Sequence, residues 1–331
     1  MFCRKSVKWA VLSPLPCRAE EGVVLTLRPV SPVILSASRV TDIPAFYMPW
    51  FLHRLHQGYS VRVNPYNKLR QHISYERVRA VVFWSKNPAP LLSAVPLLEE
   101  MGLGFYLQFT LNDYEQEGWE PGLPPLEARI ELFKKLSLLL GKKRVLWRFD
   151  PLILSAALSA EELAARLLTI GDQLAPLTDR LTVSFLDISP YRSVRSRLQR
   201  SSFSLRVPSE DEELFFIKFL SRAQHRWQDI NPEFTITTCA EGDWGEWGIA
   251  PASCVDGVLL RSLYPGDEDL TSFLEKAKKD PSQRSSCRCI ESRDVGAYGT
   301  CHYGCIYCYA RFNDRPFLQE SFTAESLSDM I

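Results

Sequence analysis

From Val33 the chain alternates short runs of β-branched or aromatic residues with longer amphipathic stretches, and this alternation restricts the possible folds more than any other feature. The strand candidates are residues 33–38, 59–63, 80–84, 104–110, 144–149, 181–187 and 233–238, with an eighth near Val255–Leu260. Between them lie FYMPWFLHRLHQ, APLLSAVPLLEEM, LEARIELFKKLSLLL, AEELAARLLTIGDQL and EDEELFFIKFLSRAQHRW, whose apolar residues return every three or four positions, as on one face of a helix. Strands that are apolar throughout, each followed by a helix, predict a parallel sheet covered by helices. That many units exceed a two-unit fold. The expected fold class is therefore α/β, as a TIM-type (β/α) barrel or partial barrel rather than an open doubly wound sheet.

This reading divides the chain into an N-terminal extension over 1–30, a barrel over 31–263 and a cysteine-rich segment over 264–331. From Tyr264 the periodicity stops, and Gly, Ser, Pro, charge and cysteine take over. Such a segment cannot bury a core of its own, so a metal or a partner surface has to order it.

The predicted strands end in polar residues: Ser36, Ser38 and Arg39, then Asn64, Ser85 with Lys86 and Asn87, Gln108 with Thr110, Arg148 with Asp150, Ser184 with Asp187, and Thr237 before Cys239. In a parallel barrel the C-terminal strand ends converge on one mouth, where the chemistry of the fold sits. Arg39, Lys86, Asn87, Arg148 and Asp150 are the candidate pocket residues. Trp84, Trp147, Phe105 and Phe149 are expected in the core.

Seven of the nine cysteines fall between positions 239 and 308. Cys301, Cys305 and Cys308 form a CxxxCxxC run, and three thiolates on one short loop can hold three corners of a cubane iron–sulfur cluster with the fourth iron open. Cys239, Cys254, Cys287 and Cys289 make a second set of four, enough for an auxiliary 4Fe–4S cluster or a tetrahedral zinc; the Cys287-x-Cys289 spacing is short for a zinc knuckle. Cys3 and Cys17 read as incidental. His302 sits inside the cysteine loop, where it could tune a cluster, while His53 and His56 read as structural. With five histidines and no HxH or HExxH, the pattern does not support a histidine-metal hydrolase.

Lysine plus arginine balances aspartate plus glutamate at 39 each, so there is no long-range attraction to nucleic acid or an anionic membrane. No stretch approaches the ~20 apolar residues of a spanning helix. The basic N-terminus leads into an apolar patch broken by Ser13, Pro14 and Pro16, which is not the pattern of a signal peptide. Clustered cysteines then read as metal ligands or reactive thiols, and the expected location is cytoplasmic.

Cys301, Cys305 and Cys308, with Tyr307 just before the last, resemble the signature of the radical S-adenosylmethionine (SAM) superfamily. VVFWSKNP (81–88) resembles a strand end of the spore photoproduct lyase branch. ILSASRVTDIPAFY, FWSKNPAPLL and CRCIESRDVGAYGTCHYGCIYCYA resemble an uncharacterised bacterial domain-of-unknown-function family with a C-terminal cysteine cluster of that type, a likeness running from Val33 to Ala310. The superfamily resemblance implies a full or partial (β/α) barrel and a 4Fe–4S cluster on Cys301, Cys305 and Cys308. It also implies that SAM chelates the open iron and is reductively cleaved to a 5′-deoxyadenosyl radical, and that Tyr307 packs near the adenine. An electron donor such as flavodoxin or ferredoxin would be a partner; the substrate, small or macromolecular, is not named. Two departures stand out. The motif follows the strands instead of the first strand, as in a circular permutation. No Gly-Gly-Glu run is present to hold the SAM amino group, a task that would fall to Ser36–Arg39. The alternatives are a non-catalytic or regulatory Fe–S or zinc protein, with a further cysteine such as Cys289 closing the fourth iron site, and a barrel enzyme using Arg148, Asp150 and Lys86 for acid–base chemistry.

Overall fold

The computed structural model describes residues 26–188, 191–200, 203–311 and 322–330. Most of the predicted 1–30 extension, with Cys3 and Cys17, lies outside them.

Eight strands form the main sheet: β1 (Ile34–Ala37), β2 (Ala80–Ser85), β3 (Gly104–Thr110), β4 (Val145–Leu152), β5 (Arg180–Phe185), β6 (Thr235–Thr238), β7 (Ala250–Pro251) and β8 (Arg293–Asp294). Their order across the sheet is β7-β6-β5-β4-β3-β2-β1-β8, and each pairing is parallel. From β1 to β7 each crossover steps one strand in the same direction, without the reversal of a doubly wound sheet. β8, from the cysteine-rich segment, adds on the other side of β1.

The fold is thus α/β with a parallel sheet, but the closure expected of a TIM-type barrel is not found: among the described residues no pairing joins β7 to β8. The physical reason lies in the edges. β7 and β8 are two residues long, and residues 252–292, including helices α8 (Gly257–Leu263) and α9 (Glu268–Leu274), run between them.

Strands β1 to β5 are buried on both faces, as their apolar sequences require. Leu35, Val81, Phe83, Phe105, Leu107, Phe109, Trp147, Phe149, Leu181 and Val183 join one apolar cluster with the helices α2 (Met48–Gln57), α3 (Leu91–Glu100), α4 (Leu126–Leu140), α5 (Ala160–Leu174) and α7 (Glu210–Gln228). Their neighbours Ile34, Ala80, Val82, Tyr106 and Leu146 point the other way, against Leu259, Leu260 and Leu270 of α8 and α9. Close packing also fixes a glycine: a Cβ on Gly171 of α5 would lie 1.9 Å from Cζ2 of Trp227 on α7.

Three expectations need correction. Residues 59–63 form a strand, but it pairs antiparallel with Arg70–Ser74 in a separate three-stranded sheet completed by Thr26–Val30. Asn64 therefore closes a hairpin, accepting the Tyr66 and Asn67 backbone N–H groups, and lies off the strand-end mouth. The apolar run Val255–Leu260 is not a strand but the start of α8, because the Asp256 carboxylate caps it through Val258 N and Leu259 N. Trp84 is only half-buried, with the Arg39 guanidinium 5.2 Å from its ring centroid; Trp147, Phe105 and Phe149 are fully buried.

Candidate functional site: two cysteine groups at the strand ends

The chain leaves β8 and forms the loop carrying Cys301, Cys305 and Cys308. Gly304 makes the turn possible with φ of 67°. Helix α6 (Arg192–Arg200) pins this loop: Arg197 Nη1 donates to the carbonyls of Ile306 (2.9 Å) and Cys308 (3.0 Å), and its Nη2 donates to that of Arg311 (2.6 Å). Cys305 is buried, whereas Cys301 and Cys308 are partly open. Burial, reinforced by nearby Asp42, pushes the Cys301 thiol up to about 12. Burial also drives Cys305 well above the usual range, against the pull of Lys86. A bound cation reverses that balance, since thiolates are the form that ligates.

Lys86 and Asn87, expected at the mouth, are at this loop. Lys86 Nζ donates to Glu120 Oε1 at 2.7 Å and lies 5.7 Å from the Tyr307 ring centroid; burial raises the Tyr303 phenol, and Asn87 pulls it the other way. The Tyr307 phenol donates to Glu120. His302 is held between the Tyr47 hydroxyl (3.0 Å) and the Phe46 ring, so it is packed rather than freely solvated.

The upstream cysteines converge on the opposite side of the sheet, in the second apolar cluster. Cys239 Sγ lies 3.6 Å from Cys254 Sγ, the Val255 N–H donates to Cys289 Sγ at 3.3 Å, and Cys289 stands near enough to Cys254 and Cys287 to shift both thiols. Tyr106 and Gln108 hold the Cys254 carbonyl at 2.7 and 3.0 Å. Arg148 Nη1 donates to Cys254 Sγ at 2.9 Å, and its Nη2 pairs with Asp150, which also takes the Ser184 hydroxyl. Hydrogen bonds from Cys239 and Cys289, then the charge of Arg148, hold the Cys254 thiol far below its ordinary range; a hydrogen bond from Cys289 lowers Cys287 to about 6. All seven described cysteines are free, and among the described residues no three or more His, Cys, Asp or Glu side chains form a ready metal-holding group. Of the four upstream thiols, Cys239 and Cys254 are in direct contact, and the four do not ring a common centre.

Glu120, Asn112, Asp294 and Asp280, which the sequence reading missed, complete the arrangement. Asn112 joins the two groups: its Nδ2 donates to Glu120 Oε1 (3.3 Å) and to the Asp150 carbonyl (3.2 Å), while its Oδ1 accepts the Asp150 N–H (3.0 Å). Asp294 accepts Ser36 Oγ (2.8 Å), Ser38 Oγ (2.7 Å) and the backbone N–H of Arg39 (2.8 Å), so both candidate serines are committed to a carboxylate. Asp280 stands 4.0 Å from Arg39. None of these had a spacing signal: each is a single polar residue whose partners are remote in sequence. The Ser-Arg-Asp run 292–294 was visible only as part of the quoted cysteine-rich stretch.

No helix among the described residues is long and apolar enough to cross a membrane. No curated protein matches the chain, and no solved structure does. One family model does match, the domain of unknown function DUF1848, over residues 34–310, a span that takes in the whole main sheet and both cysteine groups. The chain therefore belongs to the DUF1848 family.

Proposed function

We propose that Cys301, Cys305 and Cys308 hold a 4Fe–4S cluster with one open iron and that the protein is an enzyme of radical SAM type acting on a substrate still to be identified. One observation carries this reading: three free thiols stand on one pinned loop against the first apolar cluster, while Cys254, Cys287 and Cys289 are buried in the second with Cys239 packed against it. No fourth cysteine among the described residues thus competes for the open iron. The singly wound strand order suits a partial barrel, in which a loop after the last strand stands beside the first.

When bound, such a cluster supplies the electron for SAM cleavage, and the protein supplies binding and orientation. Lys86 brings positive charge to Cys305 and fixes Glu120. Tyr307 is buried with its phenol on Glu120, which orients the ring that the adenine would meet. Arg197 holds the loop carbonyls. The free thiols suit a reducing compartment such as the cytosol, with a flavodoxin or ferredoxin as reductant. Anaerobic reconstitution followed by iron and sulfide analysis, with 5′-deoxyadenosine measured after addition of SAM and dithionite, tests the proposal. Loss of cluster and product together in a Cys301→Ala, Cys305→Ala, Cys308→Ala variant is expected; a variant that keeps both would refute it.

A second reading is favoured by Asp294. With Ser36, Ser38 and Arg39 N all bonded to it, the segment that would replace the missing Gly-Gly-Glu run has its donors engaged. On this reading the loop cluster is structural or regulatory and SAM is not a ligand.

A further inference from the structure

We infer that Cys239, Cys254, Cys287 and Cys289 form a mononuclear tetrahedral zinc site, separate from the CxxxCxxC loop. The inference does not rest on the radical SAM reading. The four cysteines come from three segments: the end of β6, the turn after β7, and the stretch between α9 and β8. They gather at one apolar cluster although up to 50 residues separate them in sequence.

Geometry selects the metal. Ligands at about 2.3 Å around a tetrahedral zinc place neighbouring sulfurs about 3.8 Å apart. The Cys239–Cys254 pair stands at 3.6 Å, and Cys289 lies beside the Cys254 turn, its Sγ accepting the Val255 N–H at 3.3 Å. Cubane ligands each bind a different iron, so the iron–iron edge adds to their separation. The Cys239 and Cys254 thiols, already in contact, fit one ion and would have to spread for a cluster. Cys287 and Cys289, buried in the same apolar cluster as Cys254, would turn inward to complete the tetrahedron. This reverses the order of preference suggested by the short Cys287-x-Cys289 spacing.

Charge agrees. Four thiolates on one Zn²⁺ carry a net charge of −2, and two guanidiniums face the group: Arg148, 2.9 Å from Cys254 Sγ, and Arg39, which feels the charge of Cys289 and Cys254. The Tyr106 and Gln108 bonds to the Cys254 carbonyl set the ligand loop against the sheet, the kind of outer support that orients metal ligands. The site would tie 252–292 to the sheet in the gap between the short edge strands β7 and β8, a stretch with little regular structure of its own.

The test uses the full chain with Cys301, Cys305 and Cys308 changed to Ala, which removes the proposed cluster ligands and keeps the two sites apart. Metal analysis after growth with both iron and zinc should return one zinc per chain. Replacing the zinc with Co²⁺ should give the intense visible d–d bands of tetrahedral thiolate coordination. Adding Cys239→Ser or Cys287→Ser should abolish stoichiometric zinc; the cobalt spectrum of the chain with all four upstream cysteines intact still decides the matter if those variants fail to fold. Iron with sulfide in place of zinc, octahedral cobalt bands, or no bound metal would each overturn the inference. Failure of the radical SAM reading would leave this result unchanged.

Discussion

Lys86 and Glu120 meet at 2.7 Å, and the same carboxylate oxygen also accepts the Tyr307 phenol and the Asn112 amide. Glu120 is buried and Lys86 nearly so, at 4% and 17% side-chain exposure. One oxygen thus organises the cation, the aromatic ring and the amide that stand between the two cysteine groups.

Removing one member of a buried pair strands the other, so Glu120→Ala should destabilise the protein by roughly 3 kcal/mol, the low end for such pairs because Lys86 keeps some water contact. Denaturant unfolding of both proteins checks this. A loss below about 1 kcal/mol would show that the pair is not holding the region.

The same pair sets an acid limit. Burial works to raise the Glu120 carboxyl, but the Lys86 charge and the hydrogen bonds from Lys86 and Tyr307 outweigh it and hold the carboxyl below its ordinary value. A folded-state value below the unfolded one gives stability that is present above the unfolded carboxylate range, near pH 4, and is lost as the pH falls through the folded value. In Glu120→Gln this part of the acid destabilisation should disappear, flattening melting temperature against pH below about pH 4. An unchanged slope would contradict the assignment.

Arg197 should matter more to the loop than to the fold. Arg197→Ala frees three carbonyls of the cysteine loop. Reconstituted iron and sulfide should fall severalfold while the circular dichroism spectrum is kept, and Arg197→Lys should restore only part, since an ammonium lacks the guanidinium fork. Full cluster loading in Arg197→Ala would remove the residue from the account.

Gly171→Ala probes the packing that carries the sheet. With its Cβ 1.9 Å from the Trp227 ring, the two helices must part, which should cost about 1–3 kcal/mol or more. Thermal melts would show it; a neutral substitution would mean that α5 and α7 can separate freely.

Where a long strand or helix carries the structure, the sequence was readable. The apolar run 104–110 is β3, and LEARIELFKKLSLLL is α4. Short or paired elements were not. YSVRV has the strand period, but nothing in a period tells which sheet the strand will join, and Val255–Leu260 hid a helix because one Asp256 cap outweighs a run of apolar residues. Two-residue strands such as β7 and β8 have no period to detect. The seven clustered cysteines were legible from spacing, and Lys86, Asn87, Arg148 and Asp150 from their place at strand ends. That they fall into two separate groups, with Asn112 between them and Asp294 binding Ser36 and Ser38, depends on contacts across as many as 258 residues.

The most direct measurement of the central claim is electron paramagnetic resonance of the anaerobically reconstituted, dithionite-reduced full chain, with and without SAM. A 4Fe–4S signal that requires Cys301, Cys305 and Cys308 and changes shape when SAM binds the open iron is expected. A signal indifferent to SAM, or no iron–sulfur signal from the intact loop, would contradict it.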